Sequence, residues 1–228
     1  RNILIFGAEE GRAKRQNQLG LALLEGSSGF TVDTEQGLHW LKKAAEQGDH
    51  NALMNLAIIL TEGSYGIKSD PMLGLKMFEL YINASKLSDI EKATFLMDKS
   101  VEIYKADDTF LPQAMDAALN AYSLGVDYAP SVIFKLVLVN PPTNPKLKEV
   151  LDNSRNPFIV AAKGLAITHG LAGFTQDKNK GQEIIHAEAA LNRQPSIDYV
   201  NFLNCAKKYE KSEEIEIKCF SLSKFMMF

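Results

Sequence analysis

The sequence predicts an all-α fold: a solenoid of stacked helical hairpins, closed by a C-terminal capping hairpin. Three observations carry that prediction. First, the chain is self-similar. The stretch LGLALLEGSSGFTVDTEQGLHWLKKA, starting at Leu19, realigns without gaps on the stretch starting at Leu56, an offset of 37 residues. The later stretch KGLAITHGLAGFTQDKNKGQEII repeats the pattern at an offset of 144, with Gly26 matching Gly170. A fixed period of this length marks repeated supersecondary units. Second, glycine and aspartate recur at fixed places in each copy. Third, apolar residues fall at helical spacing on either side of them.

Each element of the unit follows from its residues. Gly26, Gly63 and Gly170 follow apolar helical turns, where a left-handed residue ends a helix at low steric cost. Helix A therefore stops there, and a glycine-bearing loop follows, with Gly29, Gly66 and Gly173 at equivalent places. Asp33, Asp70 and Asp177 stand where helix B begins, as acceptors for its first N–H groups. Asp70-Pro71 pairs an N-cap with a proline at N1, and Asp33 to Gln36 has capping-box spacing. Gly37, Gly74 and Gly181 fall inside helix B, which predicts close helix–helix approach. Leu38, Leu41, Ala44 and Ala45 form its apolar face, and Trp40, on an adjoining stripe, reads as a packing residue.

Beyond the first two copies, helices are expected at about 89–105, 111–124, 129–139, 157–169, 177–192, 196–209 and 213–226. The stretch AALNAYSLGVDYAPSVIF (117–134) echoes the turn between copies one and two. VNPPTNPK (139–146) cannot continue a helix, because Pro141, Pro142 and Pro145 remove donors. The expected organisation is repeats over 1–138, clear at 13–87 and eroded at 88–138, then a Pro-rich bend at 139–156. A third repeat with a helical cap fills 157–228. NILIF at 2–6 reads either as a strand or as the end of a helix. The chain opens on Arg, so it is expected to start inside a longer precursor or after a cleaved leader.

The pattern L-G-x-x-L-x-x-G, then G-hydrophobic-x-x-D, then W-x-x-K-A-A-x-x-G, resembles the SEL-1-like repeat, a relative of the tetratricopeptide repeat. Copy one carries Leu19, Gly20, Gly26, Gly29, Asp33, Trp40, Lys43, Ala44, Ala45 and Gly48. Copy two departs at Met77, Leu80, Tyr81 and Ile82. Copy three has Lys163 at the usual Leu and Ile184 at the Trp. The resemblance implies a right-handed α/α superhelix acting as an adaptor in protein complexes, often in bacterial envelope biology, secretion or host contact. The family shares an architecture and not a reaction.

On that reading the function is a non-catalytic scaffold that binds another protein or a peptide through a concave face lined by A helices. The partner-facing candidates are Lys14, Gln18 and Leu21 in copy one, and His50, Met54, Asn55 and Ile58 in copy two. Asparagine on such a helix suits a peptide main chain. The loops at 26–32 and 63–69 form a second candidate edge. The alternatives are a cell-wall-fragment-binding or β-lactam- or muropeptide-hydrolysing enzyme, for which Ser221 and Lys224 are the pair to test, and a self-assembling structural protein. Ser221 to Lys224 has S-x-x-K spacing but lacks a K-T-G partner.

The bulk numbers disfavour other classes. A net charge of −3 offers no broad basic field, so no nucleic-acid partner is expected. The apolar runs LAIIL and VIFKLVLV are too short to span a bilayer. His39, His50, His169 and His186 have no metal-ligand spacing, so no metal or other cofactor is expected. The glycine loops lack G-K-[ST] and follow no strand, which argues against a phosphate loop. Asp107-Asp108 reads as a turn. Cys205 and Cys219 lie seven residues either side of position 212, and both a disulfide and two buried thiols stay open for them. The compartment stays open between the bacterial periplasm or envelope and the cytoplasm.

Overall fold

A computed structural model describes residues 1–139, 144–193, 196–197 and 200–201. Every regular element among them is helical. Two compact units emerge, Arg1–Lys99 and Ser100–Phe228. The first holds α1 (Asn2–Glu9), α2 (Ala13–Glu25), α3 (Thr34–Glu46), α4 (His50–Glu62) and α5 (Pro71–Ala84). The unit boundary falls within α6 (Asp89–Ala106). The second unit holds α7 (Leu111–Ser123), α8 (Ala129–Leu138), α9 (Pro145–Asn153), α10 (Pro157–His169) and α11 (Lys178–Ala190). The fold is an α-solenoid of helical hairpins, α2–α3, α4–α5 and α10–α11, each pair packed along its length.

The three copies share local geometry atom by atom. Gly26, Gly63 and Gly170 end α2, α4 and α10 at φ of 67°, 73° and 70°, each donating back into its helix. Two residues on, Ser28, Tyr65 and Ala172 are left-handed too, at φ of 55°, 59° and 52°. The loop closes identically each time. The N–H of Asp33 donates to Leu23 O at 2.9 Å, that of Asp70 to Leu60 O at 2.7 Å, and that of Asp177 to Ile167 O at 2.8 Å. The three carboxylates then accept from the N–H of Gln36, Leu73 and Lys180, each at 3.0 Å. Because Asp33's own N–H is spent on Leu23, the expected capping box there is only half formed. A complete one opens α6, where the Glu91 carboxylate accepts from Ser88 N and Ser88 Oγ accepts from Glu91 N.

Glycine inside helix B lets two backbones touch. A Cβ on Gly37 would stand 2.9 Å from Gly20 O and 2.7 Å from Leu24 Cγ. On Gly74 it would stand 3.0 Å from Ala57 O, and on Gly181 2.5 Å from Gly164 O. The core of the first unit collects around this contact: Leu24, Leu41, Leu56, Ile59 and Leu60, with Leu41 wholly buried. In the second unit Ile133, Phe134, Leu136, Leu147, Leu151 and Ile159 are fully buried. The echo at 117–134 is a true turn equivalent: Val126 N donates to Ala121 O at 3.0 Å, as Asp49 N does to Ala44 O at 3.1 Å.

Two elements differ from expectation. Residues 2–6 are helical, as part of α1, so the strand alternative falls. The stretch expected as a Pro-rich bend contains α9. Pro145 opens that helix at N1, where a missing N–H costs nothing, and Asn144 Oδ1 accepts from Lys146 N and Leu147 N. No described helix is long and apolar enough to cross a membrane.

Candidate partner-binding surface

The A-helix face of the first unit is built by α2 and α4. Lys14 and His50 are exposed at the starts of these helices. Gln18, Leu21, Met54 and Asn55 are half-buried, and Ile58 is 38 % exposed, high for an isoleucine. Leu21 packs against the Leu24–Leu56 core cluster and therefore serves packing. Gln18 accepts from Arg15 Nη1 at 3.0 Å, within its own helix. The His50 imidazole lies 5.4 Å from the Tyr81 ring, centre to centre, which extends the surface onto α5.

Asn55 makes the contact that ties the face together. Its Nδ2 donates to Asn17 Oδ1 at 3.0 Å, across α2 and α4. Asn17, absent from the sequence-derived set, is only 6 % exposed. Beside it, Gln16 is also buried; its Nε2 donates to Ala8 O at 3.0 Å and its Oε1 accepts from Gln47 Nε2 at 2.6 Å. The four carboxamides thus form two pairs, Gln16–Gln47 and Asn17–Asn55, and Gln16 also reaches the backbone of α1. The signal was present in the sequence as Gln16-Asn17-Gln18, a run of amides on a helix otherwise given to core packing. A buried carboxamide costs free energy unless it is bonded, so each of the two is met by an amide from a later element.

The other candidates are placed as follows. Trp40 packs with Leu19, Leu23 and Phe30, and Lys43 Nζ stands 5.0 Å from its ring centre. The start of α3 reaches the loop at 63–69, where Thr34 Oγ1 donates to Tyr65 O at 3.3 Å. The serines of the loops at 26–32 and 63–69 bond locally: Ser27 and Ser64 donate to Glu25 and Glu62. Asp107 caps the short turn Asp108–Phe110, accepting from the Thr109 hydroxyl and N–H, and these bonds hold its carboxyl below the usual range. No group of three His, Cys, Asp or Glu among the described residues is placed to hold a metal ion. Cys205, Cys219, Ser221 and Lys224 lie outside the described residues, as does the expected capping hairpin.

Comparison with known proteins agrees with the repeat geometry. The Sel1 repeat family model matches residues 16–49 and 50–83. A search of curated proteins finds no significant match. Among solved structures, a Sel1 repeat protein from Oxalobacter formigenes is 18 % identical, covering 82 % of this chain and 77 % of its own, at a TM-score of 0.39. A protective antigen of uropathogenic Escherichia coli, described as displaying an SLR fold, is 14 % identical, over 99 % of this chain but only 55 % of that one, at 0.36. A sel1 repeat protein from Klebsiella pneumoniae subsp. pneumoniae is 20 % identical, over 80 % of this chain and 88 % of its own, at 0.32. Both matched stretches carry the caps, loops and glycine contacts described above, and residues 16–83 match two Sel1 repeats.

Proposed function

We propose that the chain is a non-catalytic scaffold whose α2–α4 face binds an extended segment of another polypeptide. The observation that carries this reading is the Asn17–Asn55 pair. Each carboxamide has one acceptor oxygen and a two-donor nitrogen. The single bond between them uses one donor and one acceptor. Asn17 Nδ2 and Asn55 Oδ1 have no partner among the described residues. Swapping both amides end for end leaves the same inventory: one donor group and one acceptor. A peptide unit offers the complement, a C=O and an N–H. Met54, Ile58 and the His50–Tyr81 pair flank the amides with apolar and aromatic surface for side chains.

Panning a random peptide library against the whole chain tests this. Wild type is expected to enrich linear peptides that Asn55→Ala no longer retains, since an unmet hydrogen bond of this kind costs about 1–3 kcal/mol. Enrichment of nothing, or of peptides that Asn55→Ala holds equally well, removes the reading.

A further inference from the structure

Four repeat positions surround one space in copies one and three. In copy one they are Leu19, Leu23, Phe30 and Trp40, a closed apolar cluster completed from α1 by Leu4, Ile5 and Ala8. The equivalents 144 residues on are Lys163, Ile167, Phe174 and Ile184. All four line an open cleft of about 480 Å3. Isoleucine in place of the indole leaves the space unfilled. Lysine in place of a leucine that is 2 % exposed in copy one brings charge to it. The Lys163 side chain keeps 26 % exposure and its ammonium is held by a carboxylate, as a part-buried ammonium requires.

The charge is organised. Lys163 Nζ lies 2.9 Å from Asp152 Oδ1, and Lys148 Nζ lies 2.7 Å from Asp152 Oδ2. Both stand over the Phe174 ring, at 6.0 and 4.4 Å from its centre. One carboxylate thus holds two ammonium groups, each with three donors. Lys180 also lines the cleft, while Asp177 is engaged as the N-cap of α11. Two cations, Lys163 and Lys180, thus line the cleft with two carboxylates, Asp152 and Asp177, both already bonded, and Lys148 stands beside it on Asp152 and Phe174. Ile167, Phe174 and Ile184 supply the apolar wall.

We propose that this cleft binds an organic carboxylate, its charged group on Lys163 and Lys180 and its hydrocarbon part against Ile167 and Ile184. The site is independent of the α2–α4 face and stands whether or not that face binds peptide. The carboxylate belongs either to a free acid or to the C-terminus of a polypeptide, and titration of the whole chain separates these. Amide NMR shifts at Gln176 and Lys180 are followed with hexanoate, with a short peptide ending in a free leucine carboxylate, and with hexanol and the amidated peptide as uncharged controls. Saturable shifts are expected with hexanoate, the free peptide or both, and not with the controls. A response to hexanoate alone identifies a small acid as ligand; a response to the peptide alone identifies a chain terminus. Lys163→Leu and Ile184→Trp install copy-one residues and are each expected to weaken binding about ten-fold or more, the first by removing a charge-assisted hydrogen bond and the second by filling the space the hydrocarbon part would occupy. Should Lys163→Leu fail to fold, Lys180→Gln removes the other ammonium and is expected to weaken binding to the same degree. Absence of shifts with every probe, equal binding of the uncharged controls, or wild-type affinity in the folded variants overturns the proposal.

Discussion

At the scale of single residues, the contact between paired helices rests on atoms that are missing. Gly37 faces Gly20 O, which is backbone and cannot rotate away, so Gly37→Ala sets two effects against each other. Alanine favours the helix by about 1 kcal/mol over glycine. Overpacking a tight contact costs about 1–3 kcal/mol, and here a Cβ would stand 2.7 Å from Leu24 Cγ and 2.9 Å from Gly20 O. With contacts under 3.0 Å to two residues, one of them to backbone, the clash wins, and Gly37→Ala is expected to lower stability by up to about 2 kcal/mol in urea unfolding; a gain would show that α2 and α3 separate easily. Asp70 separates capping from charge. Asp70→Ala is expected to cost about 1 kcal/mol, and Asp70→Asn much less, because asparagine caps nearly as well. Equal losses in the two would mean that the charge, and not the bond to Leu73 N, stabilises α5.

At the scale of elements, the repeats keep their caps and vary the side chains between them. What was legible in the sequence was local. Asp33, Asp70 and Asp177 act on N–H groups three residues away, so the sequence alone places them. The helix α9 was hidden because its Pro145 reads as a breaker, although at N1 it serves as an opener. The Asn17–Asn55 pair was half hidden for a different reason. It joins residues 38 apart, one more than the repeat offset, because helix crossing sets which side chains meet. The Lys148–Asp152–Lys163 group arises the same way, from α9 and α10 meeting. Bonds from Lys148 and then Lys163 hold the Asp152 carboxyl below its ordinary value. Its stabilisation is therefore fully present above the unfolded carboxylate range, near about pH 4, and is lost as pH falls through the lowered folded value. Asp152→Asn is expected to lower stability at pH 7 by about 0.2–1 kcal/mol, as exposed pairs do, and to match wild type in strong acid. A difference that persists undiminished in acid would assign the effect to packing.

At the scale of the molecule, each of the two compact units carries its own buried cluster. In repeat proteins, stability is close to a sum of terms within units and between nearest neighbours, so damage in one place need not spread. Leu41 tests this, being wholly buried within the Leu24–Leu60 cluster. Leu41→Ala is expected to cost about 2–5 kcal/mol locally. In hydrogen exchange of the whole chain, protection should fall in α2–α5, whose side chains share that cluster, and stay near the wild-type level in α10 and α11. That outcome would let one unit bind or loosen without the other, which a scaffold with one surface on α2–α4 and a separate cleft beside α10–α11 requires. A uniform loss of protection across all these helices would instead show a single cooperative fold, and the two surfaces would then be energetically linked through it.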